Sequence, residues 1–243
     1  MKAMILAAGL GTRLKPYTDT MPKALVKLNG RPLLERLILR LKEYDFDEII
    51  INTHHYAEQI HSFLNLRNNF DIRIEISHEA ELLDTGGGLK QASWFFDDGQ
   101  PFLLHNVDVM TDLDYHKMID QHRQKKSAAS LAVRKRNTTR YFLFNNDLQL
   151  CGWENLAENK KNIVRGNGDN LDRFSFMGIH VLSPEIFDSL TMEGKFSIIP
   201  AYLELASQEN NIIAFPADQY RWLDLGRKEN LEEAESEFSD LLS

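Results

Sequence analysis

Cysteine is nearly absent from the 243-residue chain, in which Cys151 is the one thiol. A single cysteine cannot form an intrachain disulfide, so the fold must be held together by its hydrophobic core. The chain is long enough for this, because a protein of this size buries most of its apolar surface on folding. The shortage of cysteine is typical of a reducing compartment, and we expect the protein to be cytoplasmic.

Long apolar runs are also missing from the sequence. No stretch approaches the roughly 20 residues that a membrane-spanning helix requires. The N-terminus has Lys2 and a short apolar run, but Gly-Leu-Gly-Thr-Arg follows where a signal peptide would have its cleavage site. We therefore expect no association with a membrane.

Positively charged residues are fewer than negatively charged ones. The sequence has 28 lysines and arginines and 36 acidic residues, which gives a formal net charge of −8. So acidic a protein is a poor candidate for nonspecific binding to nucleic acid, and we expect no such partner. If its substrates are polyanions, cations must be concentrated locally in the binding site.

The chain does have a regular alternation of short apolar segments and amphipathic segments. Strands are predicted at 2–7, 48–53, 72–76, 102–105 and 128–134, and helices at 32–44, 56–64, 87–96 and 114–125. This order predicts an α/β fold with a doubly wound, mostly parallel sheet flanked by helices.

The pattern changes after residue 135, where a small β subregion is predicted. A hairpin is expected over 140–153 and a mobile, polar loop over 157–172. The remaining predicted elements are strands at 174–182 and 211–215 and helices at 197–207 and 227–242. No linker separates these elements, so we predict one domain over residues 1–243.

A glycine-containing segment follows the first predicted strand, at the edge where open α/β sheets bind ligands. Residues 6–16 read Leu-Ala-Ala-Gly-Leu-Gly-Thr-Arg-Leu-Lys-Pro, and Met-Pro-Lys follows at 21–23. Gly9 and Gly11 let backbone N–H groups approach phosphate oxygens closely. Arg13 can donate to two such oxygens, and Lys23 supplies a mobile point charge. The segment therefore predicts a phosphate-binding loop rather than a plain strand–helix turn.

Two other phosphate-binding motifs do not fit this segment. The dinucleotide pattern Gly-x-Gly-x-x-Gly fails because Leu14 stands at the third glycine position. The Walker pattern fails because the sequence has no Gly-Lys-Ser or Gly-Lys-Thr.

Gly-x-Gly-Thr-Arg followed by Pro-Lys, so close to the N-terminus, resembles the signature of the sugar-1-phosphate nucleotidyltransferases. Segments 25–34, 102–108 and 222–226 are also similar to family segments, so the resemblance covers nearly the whole chain. It implies a Rossmann-like, GT-A-like fold, a nucleoside triphosphate and a sugar 1-phosphate as substrates, Mg²⁺ as cofactor, and a monomer or small homo-oligomer. Residues from about 1 to 135 would bind the nucleotide, and residues from about 136 to 243 would bind the sugar phosphate.

The resemblance also implies particular site residues. Arg13 and Lys23 would be catalytic, and Asp108 and Asp224 would bind the metal, a pair of carboxylates that suits Mg²⁺. The residues implied to bind nucleotide are Leu6, Ala7, Ala8, Gly9, Gly11, Thr12, Arg13, Lys23, Glu79, Thr85, Gly86 and Asn106. Those implied to bind the sugar substrate are Asp84, Gly87, Gly152 and Gly178. Because a sugar phosphate is already ionised near neutral pH, we expect its direct in-line attack on the α-phosphorus without a general base.

The run Leu83-Asp84-Thr85 with three glycines after it resembles the N-acetylmuramate 1-phosphate uridylyltransferases of bacterial cell-wall recycling. UTP and N-acetylmuramate 1-phosphate are therefore the expected substrates. A guanylyl- or cytidylyltransferase acting on mannose 1-phosphate or a phospho-alcohol stays open, as does a catalytically silent nucleotide-sugar sensor. Such a sensor would be expected to lack a cation or a metal aspartate, whereas all four residues are present here.

Overall fold

The computed structural model describes residues 1–242. Its strands are β1 (Lys2–Leu6), β2 (Lys27–Leu28), β3 (Arg31–Pro32), β4 (Glu48–Thr53), β5 (Arg73–His78), β6 (Phe102–Asn106), β7 (Val109–Thr111), β8 (Ala129–Arg134), β9 (Arg140–Phe144), β10 (Leu150–Asn155), β11 (Lys160–Ile163), β12 (Asp172–Leu182), β13 (Ile212–Pro216) and β14 (Trp222–Asp224). Its α-helices are α1 (Leu33–Glu43), α2 (Ala57–Leu66), α3 (Asp84–Gln91), α4 (Tyr115–Lys125), α5 (Ile186–Ser189), α6 (Ile198–Ser207), α7 (Lys228–Glu237) and α8 (Ser239–Leu242).

One large mixed sheet organises the molecule. Its parallel part runs in the order β5-β4-β1-β6, and β12 lies antiparallel beside β6. On the other side of β12, β8 and β13 continue the sheet, while β9, β10 and β11 form an antiparallel extension. Two small ribbons, β2 with β3 and β7 with β14, lie outside this sheet. The predicted fold class, a mainly parallel sheet flanked by helices, is confirmed.

The central strands carry apolar side chains on both faces, as buried parallel strands do. In β1, Ala3 and Ile5 pack into the hydrophobic core that includes residues of α1, α2 and α4. The alternate residues Met4 and Leu6 pack into a second core, on the side of α3 and α6. Both cores depend on this period-two alternation along the strand.

The predicted elements agree with the observed ones except in three places. Helix α3 begins at Asp84, earlier than predicted, and the C-terminal helix divides at Phe238. The segment 157–172, predicted as a loop, contains β11. The loop prediction was wrong for these four residues, because Lys-Lys-Asn-Ile has no apolar alternation and its strand arises from backbone pairing with β10 at the edge of the sheet. Residues 157–159 and 164–171 lie outside helices and strands, as predicted.

Within residues 1–242, the structure has no helix that is both long enough and apolar enough to cross a membrane.

A bulge in β12 brings this strand into contact with the site. The register with β8 shifts between Phe176 and His180, and Gly178 between them has a φ of +78°. A Cβ on Gly178 would stand 2.6 Å from the Nδ2 atom of Asn106, at the end of β6. Glycine is therefore required at position 178 for two reasons. It tolerates the positive φ, and it leaves the space that the Asn106 amide occupies.

We expect Gly178→Ala to lower the free energy of unfolding by more than Gly166→Ala does. Both glycines have positive φ, so each alanine incurs a strain of about 1–2 kcal/mol. Nothing lies within 4 Å of a Cβ on Gly166, so only the Gly178 variant must also displace a neighbour. Urea unfolding of both variants measures the difference, and equal losses would show that the Asn106 contact has no energetic effect.

Candidate active site

The ribbon of β7 and β14 places two aspartates side by side. Asp108 lies directly before β7, and Asp224 is the last residue of β14, where it pairs with Val109. The N–H group of Leu225 donates to the carbonyl oxygen of Asp108 at 2.7 Å and so extends the pairing. Residues 116 positions apart in the sequence are thereby held at the same end of one ribbon.

Gly226 marks the point where the charged side chains converge. A Cβ on this residue would stand 2.5 Å from Nη2 of Arg13, 2.8 Å from Oδ1 of Asp224 and 2.9 Å from Oδ2 of Asp108. Its own N–H group donates to Oδ1 of Asp224 at 2.8 Å. Any side chain at position 226 would occupy the volume that these three groups share.

Each carboxylate has a cation beside it. The ammonium group of Lys23 lies 2.8 Å from Oδ2 of Asp108, and Nη1 of Arg13 lies 3.5 Å from Oδ2 of Asp224. The loop that carries Arg13 turns at Gly11, which has a φ of +65° and whose carbonyl oxygen accepts hydrogen bonds from Leu14 and Thr18. The site therefore balances two negative charges with two positive ones.

The two aspartates fit the magnesium ion that the sequence resemblance implies. Carboxylate oxygens that face one volume are the donors that Mg²⁺ takes, together with phosphate oxygens and water. In the part of the chain that the structure describes, no group of three or more His, Cys, Asp or Glu residues is arranged to hold a metal. An ion at this site would therefore have two protein carboxylates and would depend on substrate oxygens for its other ligands.

A first pocket, of about 450 Å³, opens beside Lys23 and Asp108 at the carboxyl ends of β1, β4 and β6. We call it the nucleotide pocket. Ten of the residues singled out in the sequence line it, namely Leu6, Ala8, Gly9, Arg13, Lys23, Glu79, Asp84, Thr85, Asn106 and Asp108. Asn52, Leu82 and Lys195 also line it and were not predicted.

A second pocket, of about 920 Å³, lies on the other side of Arg13, and we call it the acceptor pocket. Asp224 and Trp222 of β14 form part of its wall. Three further arginines, Arg136, Arg140 and Arg227, also line it. Because Arg13 borders both pockets, the two cavities meet at the charged cluster around Gly226.

The sequence profile of the nucleotidyl transferase family matches residues 2–240. The chain belongs to this family. It is 32% identical to the N-acetylmuramate alpha-1-phosphate uridylyltransferase of Neisseria meningitidis, over 97% of each chain. It is 29% identical to a probable mannose-1-phosphate guanylyltransferase of Oryza sativa, covering 93% of this chain and 62% of the relative. The crystal structure of HddC from Yersinia pseudotuberculosis complexed with GMP-PN has the same fold, with a TM-score of 0.75 at 24% identity and coverage of 98% and 99%.

In this nucleotidyltransferase, Glu79 belongs to a buried polar chain. Oε1 of Glu79 accepts a hydrogen bond from the Asn52 amide at 2.7 Å, and Oε2 accepts one from the Leu83 N–H group at 2.9 Å. Oδ1 of Asn52 accepts in turn from the Ala7 N–H group at 2.7 Å. The side chains of Glu79 and Asn52 are buried, so they tie the phosphate loop to the far wall of the nucleotide pocket.

The glycines of α3 have a different role from the one expected. The N–H groups of Gly86 and Gly87 both donate to the carbonyl oxygen of Phe196, at 3.0 and 3.1 Å, so they are not available to a ligand. The hydroxyl oxygen of Thr85 accepts from the Ile198 N–H group at 3.0 Å. The expected ligand contacts of Gly86 and Gly87 are therefore corrected to close packing, which fixes the segment before α6 against α3.

Several other predicted residues lie outside the two pockets. Gly152 is within β10, where a Cβ would collide with the Asn162 carbonyl of β11, so its role is strand pairing. Gly178 leaves room for the amide of Asn106, which does line the nucleotide pocket. Ala7, Gly11 and Thr12 form the phosphate loop without lining either pocket. For these residues the expected contacts with a ligand remain predictions.

A buried histidine lies beneath the strand end that carries Asn106 and Asp108. His105 donates from Nδ1 to the Asn106 carbonyl oxygen at 2.8 Å and accepts at Nε2 from the Tyr115 hydroxyl at 3.1 Å. Burial lowers the pKa of His105 to about 4, so the ring is neutral at physiological pH. It anchors the strand end and adds no charge to the site.

We expect Glu79→Gln to destabilise the protein by about 1–3 kcal/mol, because both carboxylate oxygens accept hydrogen bonds and an amide must direct its NH₂ group at one of the two donors. The exposed neighbour Glu81 provides the matched control, since Glu81→Gln should change the stability by less than about 0.5 kcal/mol. Urea unfolding of the two variants compares them. Equal stabilities would mean that the buried polar chain does not hold the pocket wall.

Proposed function

We propose that the protein transfers a uridylyl group from UTP to N-acetylmuramate 1-phosphate and releases pyrophosphate, with Mg²⁺ as cofactor. One observation supports this most strongly, namely that Arg13, Asp108 and Asp224 converge around Gly226 where the two pockets meet. A triphosphate in one pocket and a sugar phosphate in the other would bring their reacting groups together at this point.

The main obstacle to such a reaction is repulsion between the two phosphates. Arg13 lies between the pockets, so its guanidinium can contact oxygens of both substrates. The Lys23 ammonium lies against Asp108 and can turn toward the phosphate oxygens of the triphosphate when the nucleotide binds. Asp108 and Asp224 would hold Mg²⁺, which would neutralise phosphate charge and orient the reacting groups.

The sugar phosphate oxygen needs no help from a general base, because it is ionised near neutral pH. The protein's contribution is therefore to position the two substrates for in-line attack and to stabilise the charge that builds up on the pyrophosphate.

The choice of UTP and N-acetylmuramate 1-phosphate rests on the relatives and on the charge of the acceptor pocket. The uridylyltransferase of Neisseria meningitidis matches this chain over 97% of both proteins, whereas the match covers only 62% of the probable mannose-1-phosphate guanylyltransferase of Oryza sativa. The acceptor pocket has four arginines and two carboxylates, Asp224 and Glu233, and its excess of positive charge favours an acceptor with more than one negative group.

Pyrophosphate release with each of four nucleoside triphosphates, against a panel of sugar 1-phosphates, tests this function. The proposal predicts turnover that requires both substrates and is fastest with UTP and N-acetylmuramate 1-phosphate. Chelation by EDTA should stop it, and added Mg²⁺ should restore it. Fastest turnover with GTP and mannose 1-phosphate would contradict the proposed substrates, and nucleotide binding without turnover would indicate a sensor.

We expect Asp108→Asn and Asp224→Asn each to lower the rate of pyrophosphate release by about 100-fold or more, because each removes one of two carboxylates at the charged cluster. Asp114→Asn is the matched control. Asp114 caps α4 by accepting from the Lys117 N–H group, and asparagine is an equally good cap, so this variant should keep both its stability and its rate. A near-normal rate for Asp108→Asn would contradict the metal assignment.

A further inference from the structure

We propose that Arg136 recognises a carboxylate on the acceptor sugar and so makes the enzyme selective for an acidic sugar 1-phosphate. The inference rests on the proposed function, since it assumes that the acceptor pocket receives the sugar phosphate. It adds a residue and a recognised chemical group that the sequence resemblance does not imply.

Two contacts hold the Arg136 side chain in place. Its guanidinium lies over the Trp222 ring, 4.6 Å from the ring centre, and its Nε–H group donates to the Ser175 hydroxyl at 3.0 Å. Trp222 is fixed in turn, because its indole N–H donates to the Met177 carbonyl oxygen at 2.8 Å. The guanidinium is therefore pre-organised, which lowers the entropy cost of binding a ligand to it.

The two outer nitrogens of this guanidinium have no partner. Within residues 1–242, Arg136 makes no ion pair, and the only hydrogen bond of its side chain uses Nε. Two nearby arginines differ in this respect, since Arg13 pairs with Asp224 and Arg173 with Glu154. Burial lowers the pKa of Arg136, and the Asp224 carboxylate acts in the opposite direction through its charge, without forming an ion pair. The edge of the guanidinium formed by these two nitrogens has the geometry that binds a carboxylate through two parallel hydrogen bonds.

The position of Arg136 relative to the reacting phosphate suits such a group. Trp222 and Asp224 are two residues apart on β14, so their side chains point to the same face of the ribbon, roughly 7 Å apart. Both line the acceptor pocket, as Arg136 itself does. A sugar whose phosphate lies near Asp224 would therefore extend its far side toward the guanidinium over Trp222.

N-acetylmuramate 1-phosphate carries such a group, because a lactyl ether on its sugar ring ends in a carboxylate. N-acetylglucosamine 1-phosphate is the same molecule without this ether. The two compounds form a matched pair that differs only in the group that Arg136 is proposed to bind. Arg140 and Arg227 line the same pocket, but the described structure gives their guanidinium groups no hydrogen bond or stacking contact that would pre-position them.

The test compares the wild-type protein with Arg136→Met. Calorimetry with a UTP analogue that cannot release pyrophosphate gives the affinity for each sugar phosphate, and pyrophosphate release gives kcat/KM. For Arg136→Met, both quantities should fall about 10- to 100-fold with N-acetylmuramate 1-phosphate and by less than about 2-fold with N-acetylglucosamine 1-phosphate. Arg136→Lys keeps the charge but loses the planar pair of donors, so it should recover only part of the selectivity.

Arg31→Met is the matched control, because Arg31 is exposed and lines neither pocket. It should leave both affinities and both rates unchanged. An equal loss with the two sugars in Arg136→Met, or no loss with either, would overturn the inference and leave the proposed function intact. The inference would also be overturned if the wild-type protein bound N-acetylglucosamine 1-phosphate at least as tightly as N-acetylmuramate 1-phosphate. That result would contradict the proposed acceptor as well. Absence of turnover with every substrate pair would instead contradict the proposed function, while the binding ratio would still decide the role of Arg136.

Discussion

Balanced charge around Gly226 is the constraint on which the rest of the structure depends. Two carboxylates close together repel each other, and here each has a cation beside it, Lys23 for Asp108 and Arg13 for Asp224. The absence of a side chain at position 226 keeps these groups close to a common volume. In the proposed reaction, Lys23 and Arg13 would exchange these carboxylates for phosphate oxygens, and Mg²⁺ would take the place of the two cations beside Asp108 and Asp224. This is how the proposed function reconciles an acidic protein with polyanionic substrates.

The fold builds the cluster from distant parts of the chain. The parallel strands end at the nucleotide pocket, and the β7–β14 ribbon carries Asp224 back to Asp108 from near the C-terminus. The bulge at Gly178 and the neutral His105 support the end of β6 from two sides. Residues outside both pockets thus help to determine where the charged side chains lie.

Much of this arrangement could be predicted from the sequence, because the strongest signals are local. Apolar runs located the strands of the sheet, and the segment from Gly9 to Lys23 indicated a phosphate-binding loop next to β1. Contacts between distant residues were less predictable. Nothing in the sequence near Asn52 indicates that its amide joins Glu79 to the loop after β1. The glycines of α3 likewise do not indicate that their N–H groups donate to the Phe196 carbonyl oxygen. The strand β11 was missed for the same reason, since pairing with β10 rather than its own pattern makes it a strand.

The most direct test is a crystal structure with Mn²⁺ in place of Mg²⁺ and a UTP analogue that cannot release pyrophosphate. We predict an anomalous peak for the metal within bonding distance of Asp108 and Asp224, with the Arg13 guanidinium and the Lys23 ammonium on phosphate oxygens. The Lys23 ammonium should then lie away from Oδ2 of Asp108, which it contacts at 2.8 Å in the present structure. A nucleotide bound elsewhere, or a metal held without either aspartate, would contradict the account.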